Sequence, residues 1–127
     1  MKLVIGGYAQ GKLHYVLSKY HQQESMVCDG ILPDSASLQD KQVVINHFHQ
    51  WVKDRMSNGG CPEEEIVSFL EDCRNCIIIS DEVGNGIVAV QAFERDYRER
   101  VGRILIQVAK QAEGVERVIC GIGQKIK

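Results

Sequence analysis

Apolar and polar positions follow two periodicities along the chain. Four short runs have the composition and bounds typical of strands: residues 3–5, 25–29, 76–80 and 115–120. Four longer stretches repeat apolar residues every three or four positions, which predicts helices: residues 12–22, 40–56, 62–73 and 92–112. The run at 76–80 is apolar on both faces, as expected of a central parallel strand. Alternating strands and helices predict an α/β fold with a mostly parallel sheet covered by helices on both faces.

The first strand leads into a glycine-rich loop with the spacing G-x-x-x-x-G-K. Glycines let backbone N–H groups converge on phosphate oxygens, and the following helix N-terminus adds a favourable dipole. The predicted nucleotide-binding residues are Gly6, Gly7, Tyr8, Ala9, Gln10, Gly11, Lys12 and Leu13. A tight turn that carries a lysine by chance is the alternative. The order strand, loop, helix favours phosphate binding, with ATP or GTP as cofactor and Lys12 as a catalytic residue on the outer phosphates.

These features together predict a P-loop-type three-layer fold in which residues 1–127 form a single nucleotide-binding domain. Leu13 stands where such loops carry the Ser or Thr whose hydroxyl binds Mg²⁺, so we expect the metal to be held weakly or by other groups. Asp29 ends the second predicted strand, and we expect one helix to return the chain to a strand beside the first. Asp29 is therefore a candidate catalytic and metal-binding residue, although Asp29-Gly30 is equally typical of a turn.

Composition narrows the class of protein. The chain has 127 residues, a formal net charge of -2 and a pI near 6.1, which argues against nucleic acid as a partner. No apolar run reaches membrane-spanning length and the N-terminus lacks a secretory pattern, so we expect a cytoplasmic protein without a membrane partner. Five cysteines are then expected as reduced thiols.

Three further patterns have structural and functional interpretations. Cys73 and Cys76 form a single C-x-x-C, which is typical of redox or metal sites, but a helix end and a buried strand explain both residues better. His47 and His49 are too close in sequence to share a helical face, so a metal pair is not expected. The acids at 63–65 suit the dipole of a helix that begins at Pro62.

The C-terminal half carries a more specific pattern. The string I-I-I-S-D-E-V-G-N-G-I-V at residues 77–88 resembles the S-N-E-V-G-x-G-I-V segment of the adenosylcobinamide kinase/adenosylcobinamide-phosphate guanylyltransferase family. The segment R-D-Y-R-E at 95–99 and the tail C-G-I-G-Q-K-I-K at 120–127 resemble further segments of that family, as does the glycine loop. The resemblance covers residues 1–20 and 74–127 well and the middle loosely.

The resemblance implies an enzyme of cobalamin synthesis that phosphorylates the aminopropanol hydroxyl of a cobinamide, and a homo-oligomer. The resemblance also implies that Asp81 or Glu82 holds the metal, a water or the acceptor hydroxyl. Of the two, Asp81 is the candidate metal ligand and Glu82 the candidate catalytic residue. The chain departs from the family at Asp81, where the family has Asn, and we find no match to the H-x-x-x-R helix that accepts GMP. We therefore expect guanylyltransferase activity to be absent. The alternative is a catalytically impaired nucleotide-binding or assembly protein without turnover.

Overall fold

The chain is described from a computed structural model over residues 1–20, 25–34, 41–83 and 91–127. Its strands are β1 (Lys2–Gly6), β2 (Ser25–Asp29), β3 (Gln42–Asn46), β4 (Cys76–Asp81), β5 (Gly114–Ile119) and β6 (Ile122–Lys125). Its helices are α1 (Lys12–Lys19), α2 (Phe48–Ser57), α3 (Pro62–Asp72) and α4 (Ala92–Gln111).

One six-stranded sheet organises these elements in the order β2-β3-β4-β1-β5-β6. The first five strands run parallel, and β6 pairs antiparallel with β5 at one edge. In the centre of the sheet, Gly6 pairs with Asp81, so the ends of β1 and β4 meet at the carboxyl edge. This edge of a parallel sheet is where ligands bind in open α/β folds.

The two faces of the sheet bury two apolar clusters because strand side chains alternate between faces. Val4, Val44 and Ile77 point to one face, where they pack with Val16 of α1. Their strand neighbours point to the other face, against residues of α2, α3 and α4. Helices thus cover both faces, and the predicted three-layer α/β fold with a mostly parallel sheet is confirmed.

The helix predicted over residues 40–56 is wrong in its first part. Residues 42–46 form β3, and α2 begins only at Phe48. Val44 fits the helical spacing with Phe48 and Trp51, yet Val43, Val44 and Ile45 are three consecutive β-branched residues that are fully buried between β2 and β4. Burial on both faces removes the two-residue alternation that would have distinguished a strand.

Other bounds differ by smaller amounts. The first helix ends at Lys19 rather than 22, and residues 21–24, 35–40 and 84–90 lie outside the described part, including Asp40 and the glycines of the 84–88 string. The sequence pattern did not predict strand β6.

The acids of α3 do more than suit the helix dipole, because Glu63 binds Arg100 of α4 and Glu65 binds Arg55 of α2 through paired hydrogen bonds.

Candidate functional site

The glycine loop lies between β1 and α1 and has the backbone that its sequence predicts. Gly11 has φ 82°, a left-handed conformation, and directly precedes the first residue of α1. Gly6 approaches β5 so closely that a Cβ would lie 2.5 Å from the carbonyl oxygen of Val118. Both positions therefore need glycine, one for its backbone conformation and one for lack of space.

Lys12 is a buried cation at the start of α1, 8% exposed. Its Nζ donates to the carbonyl oxygen of Gly7 at 2.7 Å and forms an ion pair with Asp81 Oδ1 at 2.7 Å. The ammonium thus lies between the loop and the end of β4. A carboxylate beside the loop lysine provides the hard oxygen ligand that Mg²⁺ prefers when it bridges to phosphate oxygens.

His49 joins this pair from the first turn of α2. The backbone N–H of Asp81 donates to His49 Nδ1 at 3.1 Å, so that nitrogen is the acceptor and the proton is on Nε2, which lies 3.4 Å from Asp81 Oδ2. Burial lowers the pKa of His49, outweighing the opposite effect of the Asp81 charge. The neutral ring therefore orients the carboxylate without adding a charge to it.

Asp29 lies at the carboxyl edge of the sheet, but not beside the loop. The expectation that its strand neighbours β1 is wrong, because β3 and β4 lie between them. At about 4.8 Å per strand, this places the end of β2 about 14 Å from that of β1. Asp29 instead binds His47 Nδ1 through Oδ1, and Asn46 Nδ2 donates to the same oxygen at 3.2 Å. Asp81 occupies the place beside Lys12 that was expected for Asp29.

Glu82 points to the other side of β1. Its carboxylate forms an ion pair with Arg117 of β5, with Nε at 2.8 Å and Nη2 at 3.0 Å. Its backbone N–H donates to the carbonyl oxygen of Gly6, which extends the pairing of β4 with β1. The structure therefore brings Glu82 near the start of the loop, and its carboxylate binds a guanidinium.

The turn between β5 and β6 is hydrogen-bonded to Gln10 of the glycine loop. The backbone N–H of Cys120 donates to Gln10 Oε1 at 2.7 Å, and that of Gly121 donates to the Gln10 carbonyl oxygen at 2.8 Å. Both turn residues have positive φ, which aims successive N–H groups at one partner. This contact gives the C-terminal tail a structural role at the loop.

A pocket of about 310 Å³ opens at the carboxyl edge of the sheet. The glycine loop and His14 form one wall, and the rest is lined by Asn46, His47, Ile79 and Asp81. Tyr8 is 85% exposed at its mouth. Of the predicted loop residues, those at 8–13 line this pocket together with Asp81, while Gly6, Gly7 and Glu82 lie outside its lining.

The C-x-x-C does not form a reactive pair. Cys73 and Cys76 are both buried free thiols, and burial raises the pKa of Cys76 to about 12. A protonated thiol is a poor nucleophile and a poor metal ligand. No group of three or more metal-ligating side chains occurs in the part of the chain that the structure describes. Among the described helices, none is long and apolar enough to cross a bilayer.

The chain matches the sequence profile of the family "Cobinamide kinase / cobinamide phosphate guanyltransferase" over residues 18–126. It belongs to that family. The match includes the ends of β3 and β4 that line the pocket, and it begins after the glycine loop. The resemblance found in the sequence is confirmed. The phosphate-binding assignment of the loop rests on its spacing and its geometry.

Two curated members of the cobinamide kinase family are similar to this chain. The bifunctional adenosylcobalamin biosynthesis protein CobU of Escherichia coli (strain K12) is 39% identical over 67 residues, which are 50% of this chain and 37% of that protein. The protein of the same name from Salmonella typhimurium is 35% identical over 69 residues, 51% of this chain and 38% of its own length. The matched part thus spans well under half of either relative.

Sequence reasoning did not predict His47 as a pocket residue, nor His49 as a partner of Asp81 next to the pocket. Their ring centroids lie 5.7 Å apart in an edge-to-face arrangement, near the carboxylates of Asp29 and Asp81. Placing both inside one long helix hid the end of β3, which His47 follows directly and after which α2 carries His49. The polar step Asn46-His47 after three β-branched residues is the signal that would have shown it.

Proposed function

We propose that this chain binds a nucleoside triphosphate in the pocket at residues 6–13 and transfers its terminal phosphoryl group. The observation that supports this most strongly is the buried Lys12, which forms an ion pair with Asp81 at the first residue of α1 and lines the same pocket as the glycine loop. Phosphoryl transfer needs positioned positive charge and N–H donors around the outer phosphates, with no covalent protein intermediate. On binding, Lys12 would exchange its contact with Gly7 for the β- and γ-phosphates.

Magnesium fits this arrangement through Asp81. The Mg²⁺ ion usually takes one or two carboxylates, with phosphate and water oxygens completing its shell. When bound, it would neutralise charge on the transferred phosphoryl group. Asp81 replaces Asp29 as the proposed metal residue because of their positions in the sheet. Leu13 adds no oxygen, which favours a weak dependence of binding on the metal.

The proposed acceptor is the aminopropanol hydroxyl of a cobinamide, and guanylyl transfer is proposed to be absent. Family membership and the similarity to the bifunctional CobU proteins support the acceptor. None of the four histidines is followed by an arginine at the fourth position, so the expected guanylylated segment has no counterpart in this sequence. The proposed reaction is therefore phosphoryl transfer to the cobinamide alone.

Titration calorimetry with ATP and with GTP, in the presence and absence of Mg²⁺, tests nucleotide binding. We expect Lys12→Ala to weaken binding of the preferred nucleotide by at least tenfold, since a buried charge-assisted contact to phosphate is lost. Lys19→Ala is the matched control, because Lys19 lies on the same helix and pairs with Glu116 away from the pocket. Equal affinities of Lys12→Ala and the native protein would refute the phosphate-loop assignment.

A second candidate is a nucleotide-binding protein without turnover. The packing of Leu13 favours it, since this side chain contacts the apolar cluster under α1 instead of offering a metal ligand. Incubating the protein with γ-labelled nucleotide, Mg²⁺ and cobinamide separates the two candidates. Labelled cobinamide supports the kinase; nucleotide binding without any labelled product supports the second candidate.

A further inference from the structure

His47 has a backbone conformation that side chains rarely adopt. It precedes α2 with φ 53° and ψ 47°, in the left-handed region that favours glycine. No side-chain hydrogen bond caps the helix at this residue, so capping does not explain the conformation. Strained backbone of this kind concentrates where a side chain must be aimed at a ligand. The conformation of His47 therefore indicates that the direction of its ring has a function.

The ring is held by two neighbours at the edge of the sheet. Its Nδ1 contacts Asp29 Oδ1, which also accepts a hydrogen bond from Asn46 Nδ2 at 3.2 Å. Because an ionised carboxylate only accepts, the proton of a neutral ring lies on Nδ1, and the lone pair lies on Nε2. Asn46 is buried, 7% exposed, so its amide holds the Asp29 carboxylate in place. A histidine oriented by a carboxylate is the arrangement that general bases use.

The oriented ring lines the same pocket as the glycine loop. Its centroid is 5.7 Å from that of His49, and His49 Nε2 lies 3.4 Å from the carboxylate that holds Lys12. His47 is half-exposed, so a second substrate has access to it from solvent. A triphosphate bound at Lys12 would thus have His47 on the opposite wall, where an acceptor must approach the terminal phosphate.

We propose that His47, oriented by Asp29, is the general base that takes the proton of the acceptor hydroxyl during phosphoryl transfer. This rests on the proposed kinase function. The hydroxyl oxygen forms a bond to the γ-phosphorus as the bond from that phosphorus to the β,γ-bridging oxygen breaks. The hydroxyl proton passes to His47 Nε2, and a nucleoside diphosphate leaves. The imidazolium is stabilised by the Asp29 carboxylate at Nδ1–H, and its proton returns to solvent.

The test uses His47→Gly, because glycine adopts φ near 53° without strain and leaves space for added imidazole. We expect kcat for cobinamide phosphorylation to fall at least a hundredfold while the Kd of the nucleotide stays within twofold. Adding imidazole at tens of millimolar should raise the kcat of the His47→Gly variant at least tenfold. Asp29→Asn should lower kcat at least tenfold, whereas Asp54→Asn, on the outer face of α2, should not change it.

The outcomes separate this assignment from the kinase proposal. If the native protein phosphorylates cobinamide and His47→Gly does so at the same rate, His47 is not the base and the kinase proposal stands. If the rate falls and imidazole restores nothing, the residue acts through structure and the base assignment is overturned. If the native protein binds nucleotide but labels no cobinamide, the kinase proposal fails and the base assignment fails with it.

Discussion

Adjacent residues at the start of α1 have opposite environments. Lys12 is buried among polar partners at the carboxyl edge of the sheet, with its ammonium between Gly7 and Asp81. Leu13, one residue later, turns to the apolar cluster that includes Val4 and Val16. A helix rotates each successive side chain by 100°, so neighbours face different surroundings. The lysine ammonium thus binds polar partners at the edge of the sheet, whereas the leucine borders the pocket and also packs against the core.

Replacing Leu13 by Ser tests how far the two positions are separable. We expect stability to fall by about 1–2 kcal/mol, since a half-buried leucine loses its apolar contacts. If the new hydroxyl faces the bound phosphates, Mg²⁺ should strengthen triphosphate binding more in the variant than in the native protein. Melting temperature and calorimetry with and without Mg²⁺ measure the two effects. A folded variant with unchanged Mg²⁺ dependence would show that this position does not organise a metal.

Charged pairs join neighbouring helices on the face of the sheet that α2, α3 and α4 cover. Arg100 of α4 donates two hydrogen bonds to Glu63 in the first turn of α3, at 2.7 and 2.8 Å. The guanidinium lowers the pKa of Glu63 to about 2. The same carboxylate suits the helix dipole, so it stabilises α3 and its packing on α4 together.

Glu63→Gln should destabilise the protein by about 1 kcal/mol at pH 7, a magnitude discounted for the exposure of the pair. The pKa of Glu63 is lower in the folded protein than its ordinary 4.5, so the stabilisation is complete above pH 4.5 and is lost as pH falls towards 2. Urea unfolding at several pH values measures the difference between variant and native protein.

Glu64→Gln is the control for this measurement, because Glu64 is exposed in the same helical turn. It should cost less, because it removes no ion pair with Arg100. Equal losses in the two variants would assign the effect to the helix dipole and contradict a role for Arg100.

For the whole molecule, the strand order decides which side chains share the pocket. Placing β4 beside β1 brings Asp81 to Lys12, and placing β3 beside β4 brings His49 to Asp81. β2 lies at the edge, so Asp29 reaches the pocket only through His47. The pocket therefore combines residues from positions far apart in the chain, with the loop on one side and His47 on the other, while His49 contacts Asp81 outside the lining.

We predict that the protein forms no covalent guanylyl intermediate, because its sequence lacks the expected histidine segment. After incubation with α-labelled GTP and Mg²⁺, mild alkaline denaturation preserves a phosphoramidate and removes bound nucleotide. Label on the native protein should not exceed that on Lys12→Ala, which serves as the background. Alkali-stable label mapped to a histidine would contradict the prediction, and label at His47 would identify that residue as a nucleophile.

The sequence alone determined the features that depend on nearby residues. Strand, glycine loop and helix follow one another within residues 2–19, and their apolar spacing is complete in that stretch. The helix from Ala92 to Gln111 and the strand from Cys76 likewise carry their periodicity in their own residues. The segments that resemble the family are also local, which explains why membership was recognisable before the fold.

Local sequence patterns leave open which strand ends meet. A fully buried strand and one face of a helix are both apolar, so residues 42–46 could not be assigned by pattern, and His47 and His49 were misplaced with them. The ion pairs of Lys12, Glu82 and Glu63 join residues 35 to 69 positions apart in sequence. Such contacts form when strands pair and helices pack against them, a choice made by burial over the whole sheet rather than by any single segment.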